Sequence, residues 1–118
     1  MKGCVMIQRQ LWKDETRILI TDEQNYGSVQ VSIPCYDSDI LNKADALIYA
    51  LYVDTGYREH GIGSKLLKLA EQQAKLEGVK VIGIEFDKEE SESFVLDWYF
   101  RSGYKPVSKR SKLLIKKL

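Results

Sequence analysis

The apolar run at residues 44–53 (ADALIYALYV) limits the fold of this chain more than any other segment. Taken as a β-strand, it is apolar on both faces, which is typical of a central strand covered on both sides. A buried helix would show the same run, but the turn formers Asp54-Thr55-Gly56 directly after it favour a strand. The alternation predicts two faces, with Leu47, Tyr49, Leu51 and Val53 on one and Ala46, Ile48, Ala50 and Tyr52 on the other.

The segment 61–77 has the periodicity of an amphipathic helix, with lysines and glutamates opposite its apolar side. Gly78 stands where a left-handed residue commonly ends a helix, and residues 79–86 (VKVIGIEF) follow as a second strand. A strand–helix–strand unit places its two strands side by side and parallel, with a right-handed crossover. The apolar side of the predicted helix consists of Ile62, Leu66, Leu69, Ala70 and Ala74.

Three shorter strands are predicted before this unit, at 4–11, 17–21 and 28–33, the last two forming a hairpin. After it, Ser91 is placed to cap a helix over 92–102, which Gly103 ends. Two short strands, at 104–107 and 113–118, complete the chain. The sequence therefore predicts one α/β domain over residues 1–118, with a mixed central sheet and two main helices.

Charge and cysteine content narrow the classes of function. The 118-residue chain has a formal net charge of +1, whereas nucleic-acid-binding domains are usually strongly basic, so nucleic acid is not expected as the main partner. Cys4 and Cys35 lack the spacing of a metal site or a disulfide framework, which favours a reduced, cytoplasmic protein without a metal. No apolar run approaches the roughly 18 residues that span a membrane.

The loop Arg58-Glu59-His60-Gly61-Ile62-Gly63 lies between the central strand and the helix. The first turn of a helix has N–H groups without helical partners and a partial positive charge, so anions bind there. Gly61 and Gly63 let a phosphate approach the backbone, Arg58 adds a positive charge and Ser64 adds a hydroxyl. By itself the loop also fits a structural tight turn, because it has neither a third glycine nor the Gly-Lys-Ser/Thr of a P-loop.

Two motifs, in this order, resemble the GNAT superfamily of N-acetyltransferases. The pattern Val53-x-x-x-Tyr57-Arg58-x-x-Gly61-x-Gly63-x-x-Leu66-Leu67 resembles its motif A, whose core is Arg/Gln-x-x-Gly-x-Gly/Ala. The segment 98–104 (WYFRSGY) resembles the aromatic-Tyr-Glu-Lys-Leu-Gly-Phe segment of the family's last helix. The resemblance implies a GNAT-like acyl-CoA N-acyltransferase fold. It also implies transfer of an acetyl group from acetyl-CoA to a primary amine of a small molecule, peptide or protein.

The resemblance implies roles for individual residues as well. In the family, the strand before motif A binds the pantetheine arm through its backbone groups. The corresponding residues of this strand are Leu51, Tyr52 and Val53. The backbone amides of the loop bind the pyrophosphate. The corresponding loop residues here are Arg58, Glu59, His60, Gly61, Ile62, Gly63 and Ser64. Tyr99 matches the tyrosine that protonates the departing thiolate, and core packing beside Trp98 is its structural alternative. Glu92 replaces the family's asparagine, which leaves contacts from that turn of the helix open.

A general base is also required, to take a proton from the acceptor ammonium. Glu85 is our candidate, because it lies near the end of the second strand on the same face as Val81 and Gly83. Asp87 is the next candidate, and a solvated acid at the end of a strand is the alternative for both. His60 is the only histidine, but its place inside the phosphate loop favours a solvent-facing loop residue.

The largest departure from the family lies before the central strand. Family members place two helices between their first and second strands, and these help to form the acceptor pocket. Here no segment before residue 44 has a clear helical period. The acceptor site is then either open, which suits a protein or peptide amine, or completed by a partner subunit in a homodimer.

Two further functions remain as alternatives. One is a GNAT-like module that binds a CoA thioester or a protein partner without catalysis. The other is an interaction protein that uses its basic C-terminal strand for acidic partners or nucleic acid.

Overall fold

The computed structural model describes residues 5–34, 43–54, 56, 61–86, 93–108 and 112–118. This part of the chain contains every predicted strand and helix, with ends that differ by a few residues. The strands are β1 (Met6–Leu11), β2 (Thr16–Thr21), β3 (Gly27–Ile33), β4 (Ala46–Val53), β5 (Val81–Glu85), β6 (Lys105–Pro106) and β7 (Leu113–Lys117). The helices are α1 (Ile62–Leu76) and α2 (Ser93–Arg101).

The seven strands form one sheet in the order β1-β2-β3-β4-β5-β7-β6. β4 and β5 are parallel neighbours connected through α1, whereas every other neighbouring pair is antiparallel. The predicted mixed sheet with a parallel strand–helix–strand unit is therefore confirmed. β4 is the fourth strand of seven, which also confirms the central position predicted for it.

Both helices pack on one face of the sheet, which we call the helix face. α1 contributes its apolar side and α2 contributes Tyr99 to the same buried cluster. The opposite side of the sheet, which we call the open face, carries a smaller cluster of Ala44, Leu47 and Leu113. Burial of apolar area on the helix face is thus the main stabilising term of the fold. The strand residues of that face include Ile18, Ile20, Val29, Val31, Ala46, Ile48 and Ile82.

A β-bulge interrupts β4. Gln30 of β3 pairs with Tyr49, but the next pair joins Ser28 to Tyr52, so two β4 residues lie opposite one β3 residue. Ala50 is in the bulge and has a φ of 53°, in the left-handed region. An extra residue at this point shifts the alternation of all later side chains by one.

The bulge makes the predicted faces of β4 wrong beyond Tyr49. Leu51 and Val53 were assigned to the face of Leu47 and Tyr49, but they pack against the helix-face core. The expectation that β4 is covered on both sides holds for its buried first half, Ala46 to Ile48, and is wrong at Ala50 and Tyr52, which are exposed. Position 50 is an alanine and not the glycine that commonly marks a bulge, so no local signal reveals it.

A tight turn at residues 12–15 joins β1 to β2. The Trp12 N–H donates a 2.7 Å hydrogen bond to the Glu15 carbonyl. This turn occupies the position where the family resemblance would put two helices. Within residues 5–34, all of which are described, no helix covers the open face.

Candidate functional site

β4 and β5 separate halfway along β4. Their parallel pairing ends at Ile48 and Ile84. Beyond that point β4 stays paired with β3 as far as Val53, whereas the chain after Ile84 stays with β7, through a 2.8 Å hydrogen bond from the Phe86 N–H to the Lys112 carbonyl. Because each strand keeps its outer partner, a wedge-shaped opening lies between the two strand ends. We call it the wedge.

The first turn of α1 presents backbone N–H groups. Gly61 precedes the helix with a φ of 75°, which glycine adopts without strain. Its carbonyl accepts the first helical hydrogen bond, 3.1 Å long, from the Lys65 N–H. The N–H groups of Ile62, Gly63 and Ser64 therefore precede the helical ladder, and no acidic residue lies in this turn. The turn can receive phosphate oxygens.

Lys65 pairs with a carboxylate of this chain and is therefore not counted among the groups that would bind an external anion. It forms an ion pair with Glu23 of the β2–β3 turn, and the hydrogen bond to Glu23 raises the pKa of the Lys65 ammonium. An anion at the first turn would therefore meet backbone N–H groups and the Ser64 hydroxyl. Other residues named from the sequence lie outside the described part of the chain: Arg58, Glu59, His60, Asp87 and Glu92.

Trp98 of α2 covers the first turn of α1. Its indole N–H donates a 3.1 Å hydrogen bond to Ser64 Oγ. A methyl group built on Gly63 would lie 3.5 Å from Cη2 of the indole and 3.7 Å from Cγ2 of Val53. The indole is therefore close to both the helix start and the end of β4. The sequence analysis placed Trp98 in the family-like segment 98–104 and beside Tyr99, but it did not predict the contact with Ser64, because no local pattern reveals a partner on another helix.

Tyr99, the predicted proton donor, lies in the helix-face core at the end of β5. Its side chain is buried, with 8% of its surface exposed. Its ring contacts Phe86 at 6.4 Å, Trp98 at 5.1 Å and Tyr104 at 6.2 Å between centroids. Phe86 directly follows Glu85, so α2 brings the two predicted catalytic residues to the same end of the sheet. Burial raises the pKa of the Tyr99 hydroxyl, which therefore holds its proton at neutral pH.

Glu85, the predicted base, and Tyr49 lie on the open face on opposite sides of the wedge. Leu47 and Gly83 are paired, and Tyr49 and Glu85 follow two residues later on the same face. Glu85 is exposed and Tyr49 is half-buried. Burial raises the pKa of the Tyr49 hydroxyl, and the nearby charge of Arg17 opposes this effect. The sequence analysis predicted only the face of β4 on which Tyr49 lies.

A polar cluster continues the open face from Tyr49 towards β1. The Glu15 carboxylate accepts hydrogen bonds from the Ser32 hydroxyl and, at 2.8 Å, from Arg17 Nε. The Arg17 guanidinium lies 5.1 Å from the centre of the Trp12 ring. Burial raises the pKa of Glu15, but the hydrogen bonds from Ser32 and Arg17 outweigh it and hold this pKa below its ordinary value.

The residues predicted to contact pantetheine lie along the wedge. Leu51 and Val53 direct their side chains to the helix-face core, and Tyr52 is 54% exposed on the open face. Their backbone forms the part of β4 that continues past its last pair with β5. The predicted phosphate-binding residues that are described, 61–64, lie at the start of α1 beside this segment.

Comparisons with known proteins agree with this architecture. A family model described as the acetyltransferase (GNAT) family matches residues 8–104. A search of curated proteins gives no significant match. The solved structures with the same fold include a Klebsiella pneumoniae protein assigned as an acyl-CoA N-acyltransferase, which is 18% identical with a TM-score of 0.67, over 92% of this chain and 77% of that one.

Two further solved structures contain CoA. The PaiA N-acetyltransferase of Thermoplasma acidophilum, in complex with coenzyme A, is 19% identical with a TM-score of 0.65, over 89% of this chain and 62% of that one. A chain of the NatC complex, bound to Gag peptide and CoA, is 21% identical with a TM-score of 0.60, over 86% of this chain and 70% of that one. At these identities the likeness concerns the fold.

The sheet, the wedge and the first turn of α1 together define an acyltransferase domain. The family match covers most of the chain, and the chain belongs to the GNAT acetyltransferase family. Among the described residues, no helix is long and apolar enough to cross a membrane. In the same part of the chain, no group of three or more His, Cys, Asp or Glu side chains is arranged to hold a metal ion.

Proposed function

We propose that this protein transfers an acetyl group from acetyl-CoA directly to a primary amine. The observation that carries the proposal is the wedge, which opens after Ile48 and Ile84 beside the first turn of α1. A strand edge, an anion-binding turn and a buried phenol thus lie within one short region. The CoA-containing complexes of proteins with the same fold support acetyl-CoA as the donor.

The two parts of the donor match the two parts of this region. Backbone groups of Leu51, Tyr52 and Val53 suit the amide-bearing pantetheine arm, which binds to them as an added strand would. The N–H groups of residues 62–64 suit the pyrophosphate, because they precede the helical ladder and carry the positive end of the helix dipole. Gly61 allows the turn, and the sequence adds Arg58, Glu59 and His60 to the same loop.

Tyr99 is proposed as the proton donor to the leaving thiolate. The thioester supplies an activated acyl carbon, which the amine attacks while the carbon–sulfur bond breaks. The thiolate then needs a proton, and a buried phenol with a raised pKa holds one at neutral pH. The proton lost by the amine nitrogen restores the phenol, so that the net reaction releases one proton from the acceptor ammonium.

Glu85 is proposed as the base that takes this proton from the acceptor. It is exposed on the open face, across the wedge from Tyr49. Within residues 5–34 the chain turns tightly at 12–15 and has no helix that covers this side of the β1–β2 hairpin, which supports a peptide or protein amine as acceptor. The peptide in the NatC complex supports the same acceptor class.

The same proposal includes a cellular location and an oligomeric state. The spacing of Cys4 and Cys35 supports a protein that works in the reducing cytoplasm. The edge strand β1 supports a homodimer as the alternative way of completing the acceptor side. Sedimentation at several protein concentrations, with and without CoA, distinguishes a monomer from a dimer.

The activity is tested in two steps. Calorimetry with acetyl-CoA measures binding, and thiol release in the presence of a panel of amines, peptides and proteins measures transfer. Amine-dependent thiol release, with an acetylated product identified by mass spectrometry, is the expected result. Tight binding without release for any acceptor would select the non-catalytic module instead. Absence of binding would reject both functions.

A further inference from the structure

Trp98 touches both the phosphate-binding turn and the predicted acid. On one side its indole donates to Ser64 Oγ at 3.1 Å and lies over Gly63. On the other side its ring lies 5.1 Å from the Tyr99 ring, tilted by 35°. A displacement of the indole at either contact is therefore transmitted to the other.

Tyr99 has little freedom to move independently of the indole. Phe86 and Tyr104 hold its ring edge to face from other directions, and only 8% of its surface is exposed. In a close-packed interior, a ring held on several sides follows its neighbours. Of these neighbours, Trp98 is the one that reaches the start of α1.

The chemistry of the Ser64 contact makes the indole sensitive to an anion. An indole N–H only donates, so Ser64 Oγ is the acceptor and its own hydroxyl hydrogen remains for another partner. A phosphate oxygen in the first turn would accept that hydrogen. Hydrogen bonds in a chain polarise one another, so the bond from Trp98 to Ser64 would strengthen when the anion is present.

We propose that Ser64 and Trp98 are positioning residues that couple phosphate binding at the first turn of α1 to the orientation of the Tyr99 ring. This coupling rests on the proposed function, because it assigns the first turn to the donor pyrophosphate and the proton transfer to Tyr99. Its consequence is that donor binding holds the acid more firmly in its orientation.

Inorganic pyrophosphate is the probe, because it would bind at the first turn of α1 and is too short to contact Tyr99. A response of Tyr99 to this probe would therefore be indirect. Heteronuclear NMR follows the Gly63 and Ser64 amides, the Trp98 indole N–H and the Tyr99 ring during titration. The Trp12 indole, which is exposed on the β1–β2 turn, is an internal control in the same spectra. We expect shifts at all these groups except Trp12.

The matched variants are Ser64→Ala, Ser64→Thr and Trp98→Phe. Ser64→Ala removes the hydroxyl that donates a charge-assisted hydrogen bond to the phosphate oxygen, and it is expected to weaken pyrophosphate by about tenfold or more, while the shift of the Tyr99 ring at saturation falls by at least half. Ser64→Thr keeps the hydroxyl and is expected to retain the Tyr99 response. Trp98→Phe keeps an aromatic ring but removes the N–H donor, and it is expected to lose the Tyr99 response. Circular dichroism checks that each variant is folded.

Three outcomes would overturn the coupling. If pyrophosphate shifts the amides but not Tyr99, the first turn binds phosphate without coupling, and the proposed function stands. If the Tyr99 ring shifts as much in Ser64→Ala and in Trp98→Phe as it does in the natural protein, its response does not pass through these residues. If pyrophosphate and CoA shift nothing, the coupling fails together with the proposed function.

Discussion

The Tyr104 hydroxyl donates a 2.8 Å hydrogen bond to Oε2 of Glu71, and this bond joins the chain after α2 to the middle of α1. Lys116 Nζ lies 2.9 Å from Oε1 of the same carboxylate and 5.8 Å from the centre of the Tyr104 ring. The three side chains connect α1, the end of α2 and β7. They therefore fix the position of α2 relative to α1 on the helix face. Tyr99 of α2 packs beside Tyr104 in this arrangement.

This cluster predicts an order of stabilities. Tyr104 is 1% exposed, so Glu71→Ala would leave its hydroxyl buried without the carboxylate and should lower the free energy of unfolding by about 2–3 kcal/mol. Tyr104→Phe leaves Glu71 paired with Lys116 and should cost about 1 kcal/mol. Gln72→Ala, at an exposed neighbouring position, is the control and should stay within about 0.5 kcal/mol. Urea unfolding measures all three, and equal effects of Glu71→Ala and Gln72→Ala would contradict the cluster.

The same tyrosine predicts a loss of stability at alkaline pH. Burial, and then the negative charge of Glu71, raise the pKa of Tyr104 above its ordinary value of 10.0 in the folded state. Above about pH 10 the unfolded state loses the Tyr104 proton before the folded state does. The contribution of the protonated hydroxyl to the free energy of unfolding is therefore fully present below about pH 10 and falls as the pH rises further. Urea unfolding from about pH 8 to about pH 11 should show a shallower decline for Tyr104→Phe than for the natural sequence. Parallel declines would show that Tyr104 does not contribute.

The bulge in β4 predicts an unusual response at Ala50. A φ of 53° costs an alanine on the order of 1 kcal/mol, and glycine removes this cost. Ala50→Gly should therefore raise the free energy of unfolding by about 0.5–1 kcal/mol, whereas Ala50→Val should lower it by more than about 1 kcal/mol. Ala46→Gly, in the buried regular part of the same strand, should lower it by about 1 kcal/mol. Destabilisation by glycine at both positions would indicate a regular β4.

The fold was predictable because each element has a local pattern. Both faces of β4 are apolar in sequence, and the apolar residues of α1 recur at helical spacing, so the parallel unit followed from periodicity alone. The wedge did not follow, because it depends on where two strands stop pairing. The contacts of Trp98 with Ser64 and of Tyr104 with Glu71 span 34 and 33 residues, and no local pattern carries them. The roles of Glu85 and Tyr99 stay predictions, although the fold brings both to one end of the sheet.

The first turn of α1 predicts opposite effects of one substitution on stability and on binding. An acidic residue at Ser64 suits the helix dipole, so Ser64→Asp should raise the free energy of unfolding by about 0.3–1 kcal/mol. The same charge should repel the donor pyrophosphate and weaken acetyl-CoA by at least about tenfold. Lys68→Asp, an exposed change one turn later, is the control and should weaken binding less. Calorimetry that shows equal losses would mean that overall charge, and not the first turn, holds the donor.

The role of Tyr99 predicts a loss of turnover without a loss of donor binding. Tyr99→Phe keeps the buried ring among Phe86, Trp98 and Tyr104 and removes only the hydroxyl. General acid catalysis contributes on the order of 100-fold or more, so kcat should fall by about that factor while the acetyl-CoA affinity changes by less than about threefold. Tyr104→Phe removes the hydroxyl of a second buried tyrosine, which is bonded to Glu71, and is expected to affect stability more than kcat. If both variants lose turnover in proportion to their lost stability, the Tyr99 hydroxyl packs the core and does not supply the proton.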